Sequence, residues 1–288
     1  MGTKRSFGED VFEYGNYVFM ALVAFIMFYP FWHQLSLSLS SPAEATRGGL
    51  FILPREFTVA AYRLVMQNPF IWTSFFNSVY VAVVTTFLGV LITSMLAYGL
   101  SKPEVVGHRV LSFLVVFCIV FNGGLIPTYL LIFNLGLIDS MWALILPFML
   151  TPFNTVIMRN FFRNLPAELE EAAIIDGAGP LRVFFTIVMP LSKAVLATVG
   201  LWLAVSSWNN FLAPLIYLTS RGNFTLPLFI RQVIEGQFLA RETGEGAASA
   251  IESVVAATII VSLVPILCVY PFLQKHFVKG VMIGSVKG

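Results

Sequence analysis

Charged side chains are missing from six long stretches of this chain, at 14–43, 64–101, 110–138, 140–158, 194–220 and 253–274. A helix needs about 20 apolar residues to cross the hydrocarbon core of a bilayer, and every stretch reaches that scale. Strands of a membrane barrel would be about 10 residues long and strictly alternating, which these stretches are not. The pattern predicts an all-α membrane protein with six transmembrane helices, at roughly 15–39, 72–101, 110–134, 140–162, 191–219 and 253–274. Pro30 predicts a kink in the first, and the start of 64–101, near Asn68-Pro69, is expected at the membrane interface.

Between the helices the reading places a leader over 1–13, outer loops over 40–70 and 220–252, and a short inner turn over 101–109. A longer inner insert follows at 163–190. The domain organisation expected is 1–71 (leader, first helix, outer loop), a core over 72–276, and a cytoplasmic tail over 277–288.

Two spans carry polar interruptions. Asn122-Gly123-Gly124 and Pro127-Thr128 lie within the third, and Ser206-Ser207-Trp208-Asn209-Asn210 is predicted near the middle of the fifth. Irregular backbone at membrane depth is tolerated where it faces protein or a watery cavity, and amides in hydrocarbon need partners or water. Asn122, Thr128, Trp208, Asn209 and Asn210 are therefore candidate pore-lining residues. Helix–helix packing and interhelical hydrogen bonding remain open for the same positions.

The insert has a different character. Asn164 is placed as an N-cap and Pro166 in the first turn of a short helix. Glu168, Glu170 and Glu171 then sit where the helix dipole favours negative charge. Leu165, Leu169, Ala172 and Ala173 form a small apolar stripe, Gly177 ends the helix, and Pro180 opens a second. This predicts a helix–elbow–helix projecting from the membrane. A helix lying on the lipid surface would prefer Trp, Phe or Leu facing lipid and Lys or Arg opposite. Ala and Glu favour a groove on a partner protein instead.

Composition agrees with a bilayer setting: 58% of residues are hydrophobic, 11% are charged, and mean hydropathy is +0.84. A soluble domain would carry about a quarter charged residues. A net charge of +2 gives no reason to expect a nucleic-acid partner. With both termini in the cytoplasm, eleven of the 17 Lys and Arg fall on the inner side, as the positive-inside rule requires. Cys118 and Cys268 are expected to be packing residues, with no disulfide or metal site. Glu9, Asp10 and Glu13 break the positive region that a cleaved signal peptide needs, so the first helix is expected to stay. His33, His108 and His276 have no acidic partner in reach by sequence, so no catalytic residue is assigned. An ion-coupled secondary transporter would want ionisable residues inside its spans, and the six charge-free stretches supply no Asp, Glu, Lys or Arg.

Glu171-Ala172-Ala173, three residues, Gly177, nine residues, Ile187, one residue, Met189-Pro190 resembles the EAA signature of binding-protein-dependent ABC permeases. Met189 stands where Leu is usual. The chain is further similar to the carbohydrate-uptake branch, in particular the second subunit of maltose-type permeases. Phe121 to Tyr129 resembles the subgroup paired with lipoprotein-type oligosaccharide-binding proteins. The resemblance implies a type I importer permease fold in the bacterial cytoplasmic membrane. Its coupling helix would include Glu171, Ala172, Ala173, Asp176, Gly177 and Ala178, seated in a cleft of an ATPase dimer, with Glu171 meeting a basic residue there. The tail would run along that ATPase. A second, similar permease subunit, an extracytoplasmic solute-binding protein, membrane lipid and an oligosaccharide cargo are implied as well. The chain has no G-x-x-x-x-G-K-[ST] loop, so it binds no cofactor itself, and ATP and Mg would sit on the partner. The alternative within this resemblance is a permease for another small solute.

Overall fold

The computed structural model describes residues 7–243, 252–265 and 267–268, and every regular element among them is a helix. These residues fall into two compact units, each described by itself.

In the first unit, α1 (Phe7–Ser38) runs through Pro30 without interruption and begins inside the segment expected to be a leader. Most of its apolar side chains between Phe12 and Trp32 are exposed, as suits a helix that meets lipid or another helix. The following loop folds back on the end of α1 and carries α2 (Pro42–Thr46) and α3 (Ala60–Gln67). Trp32 Nε1 donates to the Ile52 carbonyl at 2.7 Å. Phe51 is buried with its ring 5.6 Å from that of His33 and 4.6 Å from the Arg55 guanidinium. Ser38 Oγ and Tyr62 Oη lie 2.7 Å apart.

The second unit is built on α4 (Pro69–Ser101), about 50 Å long at 1.5 Å per residue. After it come α5 (His108–Val120), α6 (Leu125–Asn134), α7 (Trp142–Ile145) and α8 (Pro152–Arg163). The insert forms α9 (Ala167–Ile175) and α10 (Pro180–Val183), then one π-helical turn (Phe184–Val188) and α11 (Met189–Leu191). Next are α12 (Lys193–Asn209) and α13 (Leu212–Tyr217). Further along the chain lie α14 (Leu226–Thr243), which starts in this unit and continues into the first, and α15 (Glu252–Pro265), which apart from its last residue belongs to the first.

Among the described residues two helices, Phe12–Ser38 and Pro69–Ser101, are long and apolar enough to cross a membrane unbroken. The third, fourth and fifth predicted spans are interrupted. The third is α5 and α6, bent by 116° at the Asn122-Gly123-Gly124 interruption. The fourth, expected as one helix over 140–162, is α7 and α8. Pro147 has no N–H with which to continue α7, and Pro152 occupies the first turn of α8. The fifth, expected over 191–219, breaks at Asn210 into α12 and α13, and α12 turns by 83° from the α10–α11 segment. The expected outer loop 220–252 contains α14. Residues 244–250 of that expected loop, the end of the sixth predicted span (269–274) and the tail 277–288 lie outside the described residues.

A stripe of small and hydroxyl side chains holds α4 at the centre of its unit. Ser74, Ser78, Ala82, Thr85, Gly89, Thr93, Ala97 and Ser101 are all buried and recur at helical spacing. Without a hydrophobic drive in lipid, helices associate through close contact at small residues, and this stripe packs against α8 and α12. The approach is tightest at Gly89, where a Cβ would stand 2.6 Å from the Met149 carbonyl oxygen and 2.7 Å from a Leu203 methyl. At Gly200 of α12 the added carbon would meet Val90 and Thr86 methyls at an ordinary 3.4 and 3.6 Å. Buried side chains gather toward either end of α4. Toward its start lie Val81, Ile132, Leu144, Tyr217 and Phe224; toward its finish lie Ala97, Met158, Phe162, Phe184 and Val199.

Gly89→Ala should destabilise the protein by about 1–3 kcal/mol, the usual scale of overpacking, although alanine is the better helix former. Gly200→Ala should be neutral or mildly stabilising. Thermal denaturation of the detergent-solubilised variants checks the contrast, and equal melting for both would refute it.

Candidate functional site

The insert is a short helix on a tight stop. The chain leaves α8 at Asn164, which ends that helix with its Nδ2 donating to the Asn160 carbonyl at 2.8 Å. Asn164 is therefore not the N-cap expected from sequence. Pro166 takes that position, and it makes no side-chain cap. At the other end Gly177 adopts φ +81°, a conformation that suits glycine. Its N–H bonds the Ile174 carbonyl and the Ala178 N–H bonds the Ala173 carbonyl, both at 2.9 Å. This is the Schellman pattern, and it sends the chain directly into α10 at Pro180.

The expected apolar stripe divides between two faces. Leu165, Ala173 and Ala178 pack inward with Ile187 and Met189 against the core at the end of α4. Leu169 and Ala172 remain exposed. The outer surface is dominated instead by Ile174, Ile175 and Leu181, which are 60%, 85% and 65% exposed. Glu171 is exposed beside them, and Asp176 caps the helix end. Fully burying one such aliphatic side chain is worth about 1.5–3 kcal/mol. The arrangement therefore offers a compact apolar knob with one carboxylate at its edge.

Glu170, grouped with its neighbours in the sequence reading, behaves differently. It is only 8% exposed. Its carboxylate accepts a hydrogen bond from Tyr98 Oη at 2.9 Å and lies 2.7 Å from Lys102 Nζ. Tyr98 belongs to α4, and its ring packs on those of Phe162 and Phe184. These partners lie some seventy positions from Glu170 along the chain. The only local signal was a second carboxylate beside Glu171, turned to another face of the helix.

The pore candidates gather at the helix breaks. Asn122 is exposed, and its Oδ1 accepts the Gly124 N–H at 3.0 Å. Thr128 Oγ1 donates to the Gly124 carbonyl at 2.8 Å. Asn209 is the last residue of α12 rather than a mid-helix residue, because Asn210 is extended and its Oδ1 accepts the Ala213 N–H at 3.2 Å. The Trp208 ring lies edge-on to Phe75 of α4 at 6.0 Å. Cys118 and Cys268, expected to pack within the bundle, are free and exposed.

At the opposite end of α4 a second polar node ties loops together. Asp139, at φ +60°, accepts the N–H groups of Thr219 and Ser220 at 3.0 and 2.9 Å and the Ser220 hydroxyl. Asn223 Nδ2 donates to the Asp139 carbonyl at 2.7 Å. Asn77 Nδ2 of α4 donates to the carbonyls of Gly222 and Phe224 at 2.8 and 3.0 Å, and Ser78 Oγ accepts the Leu226 N–H at 2.8 Å. The hydrogen bonds from Ser220 hold the Asp139 carboxyl well below the usual carboxylate range.

Residues 11–283 match the family described as "Binding-protein-dependent transport system inner membrane component". The chain belongs to that family. It is 39% identical to the polygalacturonan/rhamnogalacturonan transport system permease protein YtcP of Bacillus subtilis, over 96% of this chain and 99% of the other. It is 42% identical to the protein LplC of the same organism, over 96% and 95%. Among solved structures it is similar to a chain of a bacterial ABC transporter involved in the import of the acidic polysaccharide alginate. There the TM-score is 0.89 and identity 32%, over 96% of this chain and 100% of that one. As a family member the chain is a multi-pass, inner-membrane permease component of an ABC importer.

The hydrogen bonds to Asp139 predict an acid-dependent contribution to stability. The folded pKa of Asp139 is depressed, so its stabilisation is fully present above the unfolded value of about 3.9. It is lost as pH falls from there through the lower folded value. The difference in melting temperature between wild type and Asp139→Asn should stay constant from neutral pH to about pH 5 and shrink below about pH 4. A difference that changes near pH 6 would refute the assignment.

Proposed function

We propose that this chain is one of the two membrane-spanning halves of an ATP-driven importer and that α9 is its coupling helix. The observation that carries the reading is the apolar knob of Ile174, Ile175 and Leu181, held on a Schellman stop at Gly177 with the exposed Glu171 beside it. Such a surface fits a groove lined by apolar side chains with a basic residue at its rim. Glu171 meets that residue, and Ala172, Ala173, Asp176, Gly177 and Ala178 give the knob its narrow profile and its elbow.

In this mechanism, ATP and Mg bind a separate ATPase dimer, whose closure draws the two coupling helices together. The permease pair opens outward, a binding protein delivers its solute, and hydrolysis restores the inward-facing state. The driving force is the difference in affinity of each ligand for the two states. Six spans and cytoplasmic termini fit the charge distribution. Asn122, Thr128, Trp208, Asn209 and Asn210 flank the path, where broken helices present amides and backbone groups to a hydroxyl-rich solute.

The cargo proposed is an oligosaccharide containing uronic acids. A 39%-identical relative is named for polygalacturonan and rhamnogalacturonan transport, and a 32%-identical structure for alginate import. Purification of the tagged chain from its host should bring down an ATPase and a second permease, both lost on Glu171→Lys. Gly177→Pro should abolish uptake while membrane insertion survives, because proline cannot adopt φ +81°. Uptake of labelled oligogalacturonate by the reconstituted complex, with neutral maltodextrin as competitor, tests the cargo. Preference for the neutral sugar would overturn the acidic assignment alone, and normal uptake by Gly177→Pro would overturn the role of α9.

A further inference from the structure

We infer that Glu170, with Tyr98 and Lys102, is the positioning link that makes α9 and α4 move as one body. The inference rests on α9 being the coupling helix. α9 follows α8 through Asn164 to Pro166 and stops at Gly177, so both of its ends are turns. Its inward face offers Ala173, flanked by Leu165 before the helix and Ala178 after it, partly buried side chains that would slide at little loss. Glu170 is the buried carboxylate on that face. Its oxygen meets Tyr98 Oη at 2.9 Å and Lys102 Nζ at 2.7 Å, and Lys102 also stands 5.5 Å from the centre of the Tyr98 ring.

A buried carboxylate deprived of its partners is strongly unfavourable. A shift of α9 along α4 would separate Glu170 from both groups at once. The low-energy response to a pull on α9 is to carry the end of α4 with it. Tyr98 extends the joint, because its ring also contacts Phe162 of α8 and Phe184 of the π-helical turn. From there the small-residue stripe of α4 reaches α8 and α12. Glu171 and Glu170 thus divide the work, one facing the partner and the other holding the helix to the membrane core.

The test uses the whole complex in proteoliposomes, with wild type, Glu170→Ala, Lys102→Gln, Tyr98→Phe and the exchanged pair Glu170→Lys/Lys102→Glu. Three quantities are read: the ATPase that co-purifies, hydrolysis without solute, and solute taken up per ATP. Glu170→Ala and Lys102→Gln should keep their ATPase yet lose about tenfold in uptake per ATP, the scale of one charge-assisted hydrogen bond. Tyr98→Phe keeps the ring packing and should lose severalfold, and the exchanged pair should recover part of the loss. If Glu170→Ala does not assemble, Lys102→Gln and Tyr98→Phe decide. Unchanged uptake per ATP in those variants overturns the link. So does loss of the ATPase in parallel with Glu171→Lys, which would place Glu170 in the docking surface. A wild-type chain that brings down no ATPase defeats the coupling-helix reading itself, a result distinct from either.

Discussion

The close approach of backbones along α4 is the constraint on which the rest of its unit depends. In lipid, apolar side chains gain little by leaving one hydrocarbon surface for another, so contact area and satisfied polar groups decide which helices meet. Gly89 admits the Met149 carbonyl to a distance that no Cβ would allow. The hydroxyl and alanine positions above and below extend that contact over the helix length. One consequence is geometric. A helix of about 50 Å held firmly along its middle presents two well-defined ends, and each end is tied by polar groups to a different loop. Asn77 and Ser78 fix the segment from Gly222 to Leu226, while Tyr98 and Lys102 fix Glu170.

The breaks in the remaining helices follow from the same need to satisfy backbone groups. Helix ends inside a membrane protein expose N–H groups that lipid cannot serve. Asn122 and Asn210 each supply an oxygen to one such N–H just past a break. In sequence, both asparagines could be read as facing either a path or a neighbouring helix. Capping is a third use of the same side chain, and it explains why each stands next to the interruption and not in mid-span.

Hydropathy made the membrane setting legible, and residue spacing made the insert legible: Gly177 does end a helix, and Pro180 does open the next. Averaging over about 20 residues does not resolve breaks of a few residues, so in sequence α7 with α8 and α12 with α13 read as single spans. The segment 220–252 looked like a loop because its Gly, Pro and charged residues dilute the apolar signal, yet Leu226–Thr243 is helical. Asn164 was assigned by residue preference alone, and the preceding helix claimed it. Glu170 lay beyond reach for another reason. Its role depends on Tyr98 and Lys102, partners that only the packing of α4 brings near.

That packing also accounts for a feature that would be a liability in an isolated protein. Ile174, Ile175 and Leu181 stand exposed on a protrusion anchored by the buried Glu170 carboxylate and its half-exposed partner Lys102. Apolar knobs on flexible loops tend to fold back and bury themselves. Here the inward face is occupied by Glu170 and the small residues beside it, and the Gly177 stop fixes the direction of the exit. The knob cannot collapse onto its own core without parting the carboxylate from Lys102. The same interaction that would transmit motion therefore keeps the outer surface available to a partner, so rigidity and exposure at this site have one physical cause.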